Sequence, residues 1–193
     1  MKVLFIDNFD LFTHSIVDEF EKKDCEIMIY RNNVDMKVIE GAIKKFKPKL
    51  IVINPGNGNA AGTGNSIEII RDYAGKIPIF GIGLGNECII EAMGGNVDRS
   101  PVIKHGKVCK VSHDGKGIFK KMDNPFVAGR YNSLAAINVP YTLEVSARDE
   151  DGIVMGVRHK ECFMKGIQFH PESILTPSGS LLIDSLLKEI GKK

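Results

Sequence analysis

Pro78-Ile79-Phe80-Gly81-Ile82-Gly83-Leu84-Gly85-Asn86-Glu87-Cys88-Ile89-Ile90 is the stretch whose reading decides this chain. A proline opens a short apolar run, alternate glycines follow at 81, 83 and 85, and a mixed segment then continues to Met93. Proline suits the first position of a strand, and closely spaced glycines permit a tight turn or a close backbone approach. The pattern predicts a strand over 79–81, a sharp turn and a helix through Met93. Strand, tight turn and helix form an elbow centred on Gly83.

The same alternation of β-rich runs and helical periods precedes the elbow. Runs over 2–6, 26–30 and 50–53 read as strands, and 13–23, 38–46 and 67–74 as helices. That order predicts a mostly parallel central sheet flanked by crossover helices. Beyond Gly94-Gly95 the texture changes, and 102–103, 107–112, 142–147 and 152–158 read as an additional antiparallel β region. A strand over 166–169 and a helix over 180–190 close the unit. No repeat, low-complexity tract or linker interrupts it, so residues 1–193 are expected to form one α/β domain.

Composition narrows the function classes. Lys and Arg number 26 against 24 Asp and Glu, a formal charge of +2, and 43% of residues are hydrophobic. Neither a disordered acidic chain nor a polybasic nucleic-acid binder has this balance. The longest apolar runs fall well short of the roughly 20 residues of a membrane span. The first residues, Met1 to Ile6, read as a strand that runs into Asp7, so a cytoplasmic protein without nucleic-acid or membrane partners is expected. Cys25, Cys88, Cys109 and Cys162 are scattered without CxxC or Cys/His spacing, which argues against a disulfide framework or a metal site. Cys88, Cys109 and Cys162 have apolar neighbours and are expected to be buried and reduced. Cys25, between Asp24 and Glu26, stays open.

Ligands of open α/β sheets collect beyond the carboxyl ends of the strands. Three loops fall there: Asp7-Asn8-Phe9-Asp10, Asn54-Pro55-Gly56-Asn57-Gly58, and Gly81 to Gly85. His170-Pro171-Glu172 follows the last strand, and a histidine two residues before a carboxylate can form an oriented acid/base pair. The Pro55 to Gly58 loop either presents backbone N–H groups to an anion or is an ordinary turn. Gly83-Leu84-Gly85 matches neither GxGxxG nor a GK[ST] ending, which argues against a nucleotide loop. His14, His105, His113 and His159 read as surface or turn residues. Neither a metal nor a cofactor is expected.

Taken in order, these segments resemble the class I glutamine amidotransferase family, with its flavodoxin-like sheet, over nearly the whole chain. The resemblance rests on Ile6-Asp7-Asn8-Phe9-Asp10 with Phe12-Thr13, Pro55 to Gly58 with Ala61-Gly62, and the Gly81 to Gly85 elbow. It continues in His105-Gly106-Lys107, Arg130-Tyr131-Asn132-Ser133-Leu134, and Gly166 to Thr176. Pro177-Ser178-Gly179 is similar to the branch that serves chorismate-aminating large subunits, in anthranilate or aminodeoxychorismate synthase. The resemblance implies a nucleophilic cysteine at the elbow that attacks glutamine, activated by His170 and Glu172, and ammonia delivered to the large subunit. It also implies an oxyanion hole near Gly56, Gly58 and Leu84, and a glutamine pocket at position 87, Ser133 and Leu134.

The residue at the nucleophile's place is Gly83. Two further departures flank it: Leu84-Gly85-Asn86-Glu87 stands where the family has LGHQ, and Asn132 stands where it has a histidine. A glycine offers no thiolate, so thioester chemistry is expected to be absent. Cys88 lies five positions on, more than a helical turn from the elbow, and is not expected to substitute. The expectation is a subunit without glutaminase activity that serves its large partner structurally or as a regulator, with 7–13 and the Pro55 loop as docking surface. Two alternatives stay open: an active glutaminase whose nucleophile lies elsewhere or whose Gly83 was engineered, and a free-standing amino-acid-binding module.

Overall fold

The computed structural model describes residues 1–191, and the last two lie outside the described residues. Four parallel strands, β1 (Lys2–Asn8), β2 (Glu26–Arg31), β3 (Leu50–Gly56) and β4 (Ile79–Ile82), lie in the order β2-β1-β3-β4. The chain leaves β1 for one neighbour and returns to the other side, so a crevice opens at the carboxyl edge between β1 and β3. The sheet continues through β9 (Met164–Ile167), parallel to β4, and then antiparallel through β8 (Val154–His159), β7 (Leu143–Asp149), β5 (Asn96–His113) and β6 (Phe126–Asn138).

Five helices cover the parallel part on both faces: α1 (Thr13–Glu21), α2 (Met36–Phe46), α3 (Ser66–Tyr73), α4 (Leu84–Ala92) and α5 (Gly179–Gly191). Val3, Phe5, Val52 and Phe80 pack with Ile16, Val17 and Phe20 of α1 and Leu182, Ile183 and Leu186 of α5. Leu4, Ile6, Ile51 and Ile53 point to the opposite layer of α2, α3 and α4. Successive strand residues face opposite sides, so a strand covered twice must be apolar at every position. That is why 50–53 reads Leu-Ile-Val-Ile without alternation. Helix boundaries follow local chemistry. Asp35 caps α2 by accepting from the Lys37 N–H at 2.8 Å, and the left-handed Lys47 ends it.

The antiparallel region departs from the expected pieces. Segments 102–103 and 107–112 belong to one 18-residue strand, β5, whose register against β6 shifts between Arg99 and Lys104 and again between His105 and Lys107. Those irregularities break the hydrophobic alternation and hide the strand's continuity. β6 has no counterpart among the expected strands, although Arg130 to Leu134 lies within it. β9 begins two residues before the expected 166 and ends at Ile167. Cys25, left open by its neighbours, is buried and packs in the core cluster with α1, whereas Cys162, expected to be buried, is half-buried in the bend before β9.

Arg130 is fully buried and ties this region together. It donates to Asp149 Oδ2 at 2.6 Å, Asn132 Oδ1 at 2.9 Å and the Val102 carbonyl at 2.7 Å. Asp149 Oδ1 accepts the Asp151 and Ile153 N–H groups. Asn132 also donates to the Leu134 carbonyl at 2.6 Å. A buried pair satisfied on all sides holds; one whose partner is removed leaves an uncompensated charge, at a cost of about 3–5 kcal/mol. Asp149→Ala is expected to lower the unfolding free energy by about that amount, with Lys22→Ala at the exposed C-terminal cap of α1 as a near-neutral control, as measured by urea denaturation.

Candidate functional site

The elbow is built by backbone contact. A Cβ at Gly85 would fall on the Ile53 carbonyl, and one at Gly81 on the Gly85 carbonyl, so α4 sits directly against β3 and β4. Gly83 between them has φ 56° and ψ −115°, a conformation that an L side chain adopts only under strain. A Cβ built at Gly83 would lie 3.3 Å from His170 Nε2 and 3.3 Å from Pro55 Cβ. Position 83 therefore aims a side chain at the imidazole.

His170 is held from its other nitrogen. Nδ1 lies 2.7 Å from Glu172 Oε1, and the Tyr131 ring meets the imidazole edge-on at 5.0 Å between centroids. A carboxylate accepts and does not donate, so Nδ1 carries a proton and Nε2 is the nitrogen left to face Gly83. Thr176 pins the loop by donating to the His170 carbonyl at 2.7 Å and accepting from the Gly129 N–H at 3.0 Å.

These groups line a cavity of about 470 Å³ at the carboxyl edge of the parallel strands. Gly56, Gly58, Gly83, Leu84, Glu87, Ser133, Leu134, His170 and Glu172 all border it. The first-turn N–H groups of α4 at Leu84 and Gly85 have no preceding helical carbonyl to bond, and Gly58 turns at φ 96°. This end of the cavity can receive a negative oxygen.

Glu87, one turn further along α4, is 4% exposed and accepts from Gln168 Nε2 at 2.9 Å, while Gln168 Oε1 accepts from Asn86 Nδ2 at 2.9 Å. Burial pushes the Glu87 carboxyl up to about 7, against the opposing pull of the Gln168 bond. Burial also raises Asp10, with His170 pulling the other way. None of the four cysteines borders the cavity. Cys88 is fully buried among apolar side chains, its thiol pushed up to about 12 by desolvation, with Thr63 Oγ1 at 3.5 Å.

The sequence reading did not single out every lining residue. His105, read as a surface or turn residue, meets Tyr131 edge-on and borders the cavity, because the irregular β5–β6 pairing brings both there. Asp10, in the loop expected at the ligand-binding edge, and Gln168, within the Gly166 to Thr176 stretch, also line it. Of the segment 7–13 expected to dock a partner, Asp7, Asn8 and Thr13 are buried instead. Asp7 Oδ1 accepts from Thr13 Oγ1 at 2.7 Å, and Asn8 bonds Asn32, Asn54 and Ser66. Phe9, Leu11 and Phe12 remain exposed.

The raised Glu87 carboxyl makes stability depend on pH. Its proton is held more tightly in the folded chain than in the unfolded one, so ionisation disfavours folding between about pH 4.5 and pH 7. The shift corresponds to roughly 3 kcal/mol, absent below this window and complete above it. Glu87→Gln is expected to gain stability relative to the parent chain at pH 8 but not at pH 4. Urea midpoints at the two pH values check this, and an equal difference at both would exclude it.

The comparisons agree with this geometry. Residues 4–190 match the family model described as glutamine amidotransferase class-I. The chain is 44% identical over 186 residues to anthranilate synthase component 2 of Methanocaldococcus jannaschii, covering 96% of this chain and 91% of that protein. It is 40% identical over 192 residues to the multifunctional tryptophan biosynthesis protein of Pichia angusta, of which it spans 52%. A crystal structure of a glutamine amidotransferase from Thermotoga maritima superposes with a TM-score of 0.82 at 16% identity, covering 100% of this chain and 99% of that one, which shows the shared fold. An elbow facing a Glu-held histidine and a match from residue 4 to residue 190 place the chain in the class I glutamine amidotransferase family.

Proposed function

We propose that this chain is the amidotransferase-type subunit of an anthranilate or aminodeoxychorismate synthase, and that it does not hydrolyse glutamine itself. The observation that carries the reading is Gly83 at the elbow, its Cβ position 3.3 Å from His170 Nε2, in a cavity that no cysteine borders. Covalent amide hydrolysis needs a nucleophile within reach of its base. Here the base, its orienting carboxylate and the N–H groups of α4 stand without one. The large subunit then takes free ammonia for the amination of chorismate, and this chain serves it as a structural or regulatory partner in the cytoplasm.

Apolar exposure supports a docking surface at the cavity mouth. Leu11 is 84% exposed and Ile174 93%, with Phe9 and Phe12 beside Leu11 in sequence. Both Leu11 and Ile174 border the cavity, so a partner seated there also covers the site.

The purified chain, alone or with a chorismate-aminating large subunit, is expected to release no glutamate from glutamine. The glutamine analogue 6-diazo-5-oxo-norleucine is expected to leave all four cysteines unmodified by mass spectrometry, and to add one adduct in the Gly83→Cys variant. Release or an adduct in the unmodified chain would overturn the reading. Leu11→Glu is expected to weaken capture of the large subunit at least tenfold in pull-down, and unchanged capture would remove this surface from the proposal.

A further inference from the structure

The charge lining the cavity is one-sided. Asp10, Glu87 and Glu172 all border it, while no lysine or arginine among the described residues does. The basic groups present are His105 and His170, and His170 is already paired with Glu172. Glu172 is 5% exposed at its side chain, and its Oε2 is buried without a hydrogen-bond partner. Glu87 is 4% exposed, and its one recorded side-chain bond takes Oε1. A buried carboxylate oxygen without a partner costs about 1–3 kcal/mol or more. Glu172 leaves one such oxygen, and with Glu87 and Asp10 lining the same cavity a ligand that brings positive charge and several N–H donors relieves the cavity's unbalanced charge.

We propose that the cavity binds a small organic amine, specifically an amino acid whose side chain ends in a protonated amine, with Glu87 as the residue that selects it. The proposal rests on the reading of this cavity as an amidotransferase pocket freed from covalent chemistry, and names the ligand class it now takes. An ammonium group adds to its hydrogen bonds an ion–ion attraction to the carboxylate that the neutral amide of glutamine lacks. A glutamate side chain brings like charge into the low-dielectric space beside Glu87 and is rejected. The N–H groups at the start of α4 and at Gly58 suit the ligand's own carboxylate, one helical turn from Glu87. The cavity, at about 470 Å³, has room for such a molecule.

Isothermal titration of the intact chain at pH 8, where Glu87 is ionised, tests this with L-lysine, putrescine, L-glutamine and L-glutamate as probes. L-lysine is expected to bind at least tenfold more tightly than glutamine or glutamate, and Glu87→Gln, checked for folding by circular dichroism, to lose that margin. Glu172→Gln is expected to weaken lysine binding as well, as a second variant on a different element. Putrescine binding equal to that of lysine supports a site for diamines in general, and lysine alone supports a role for the α4 N–H groups. Glutamine binding as tight as lysine, no detectable binding of either amine, or a folded Glu87→Gln variant that keeps the lysine margin would overturn the proposal. Glutamate release and large-subunit capture are separate readouts, so this inference can fail while the proposed function stands.

Discussion

Helix α4 rests on β3 and β4 backbone to backbone, because neither Gly81 nor Gly85 carries a Cβ. Everything at the site is placed by that contact. It fixes the start of the helix at the carboxyl edge of the sheet, turns Gly83 into the left-handed half of conformational space, and leaves Gly83 and Leu84 bordering the cavity. One turn on, it sets Glu87 within reach of Gln168, which follows β9. The relation between elbow and imidazole follows from the pairing of β4 with β9 in parallel register, since the chain leaves both strands at the same edge.

A second layer of polar contacts keeps that edge rigid. Asp7, Asn8, Thr13, Asn32, Asn54 and Ser66 bond one another beneath the surface, joining the ends of β1 and β3 to the starts of α1 and α3. Buried polar groups linked in this way leave the loops little freedom. Arg130 and Asp149 do the same for the antiparallel region and hold the wall that carries Tyr131 and Ser133. Gly83 relieves the elbow of the strain that a side chain would bring, on the order of 1–3 kcal/mol. The scaffold therefore keeps its shape independently of any chemistry at position 83.

Legibility in the sequence followed periodicity. The parallel strands were readable because both faces are covered and each is a short unbroken apolar run. The β5–β6 ribbon was not, since its register shifts and exposed residues such as Val108 and Val127 leave no regular alternation. Gly56, Gly58, Leu84, His170 and Glu172 were found from loop chemistry at strand ends and from family resemblance. Ser133 and Leu134 came from resemblance alone. His105 reads locally as a surface or turn residue, because only the ribbon's path brings it to the cavity, whereas Asp10 was marked by its loop at the end of β1.

Sequence alone determined the α/β alternation, the elbow and the glycine at its tip, all of which depend on residues close together along the chain. Tertiary structure decided what those residues face. His170 stands 87 positions from Gly83 and Glu87 stands 81 from Gln168, and no local pattern records such distances. The charge of the cavity, with three carboxylates and neither lysine nor arginine among the described residues, was equally invisible in a chain whose net charge is +2. Charges scattered along a sequence acquire a common field only when folding gathers them around one low-dielectric space.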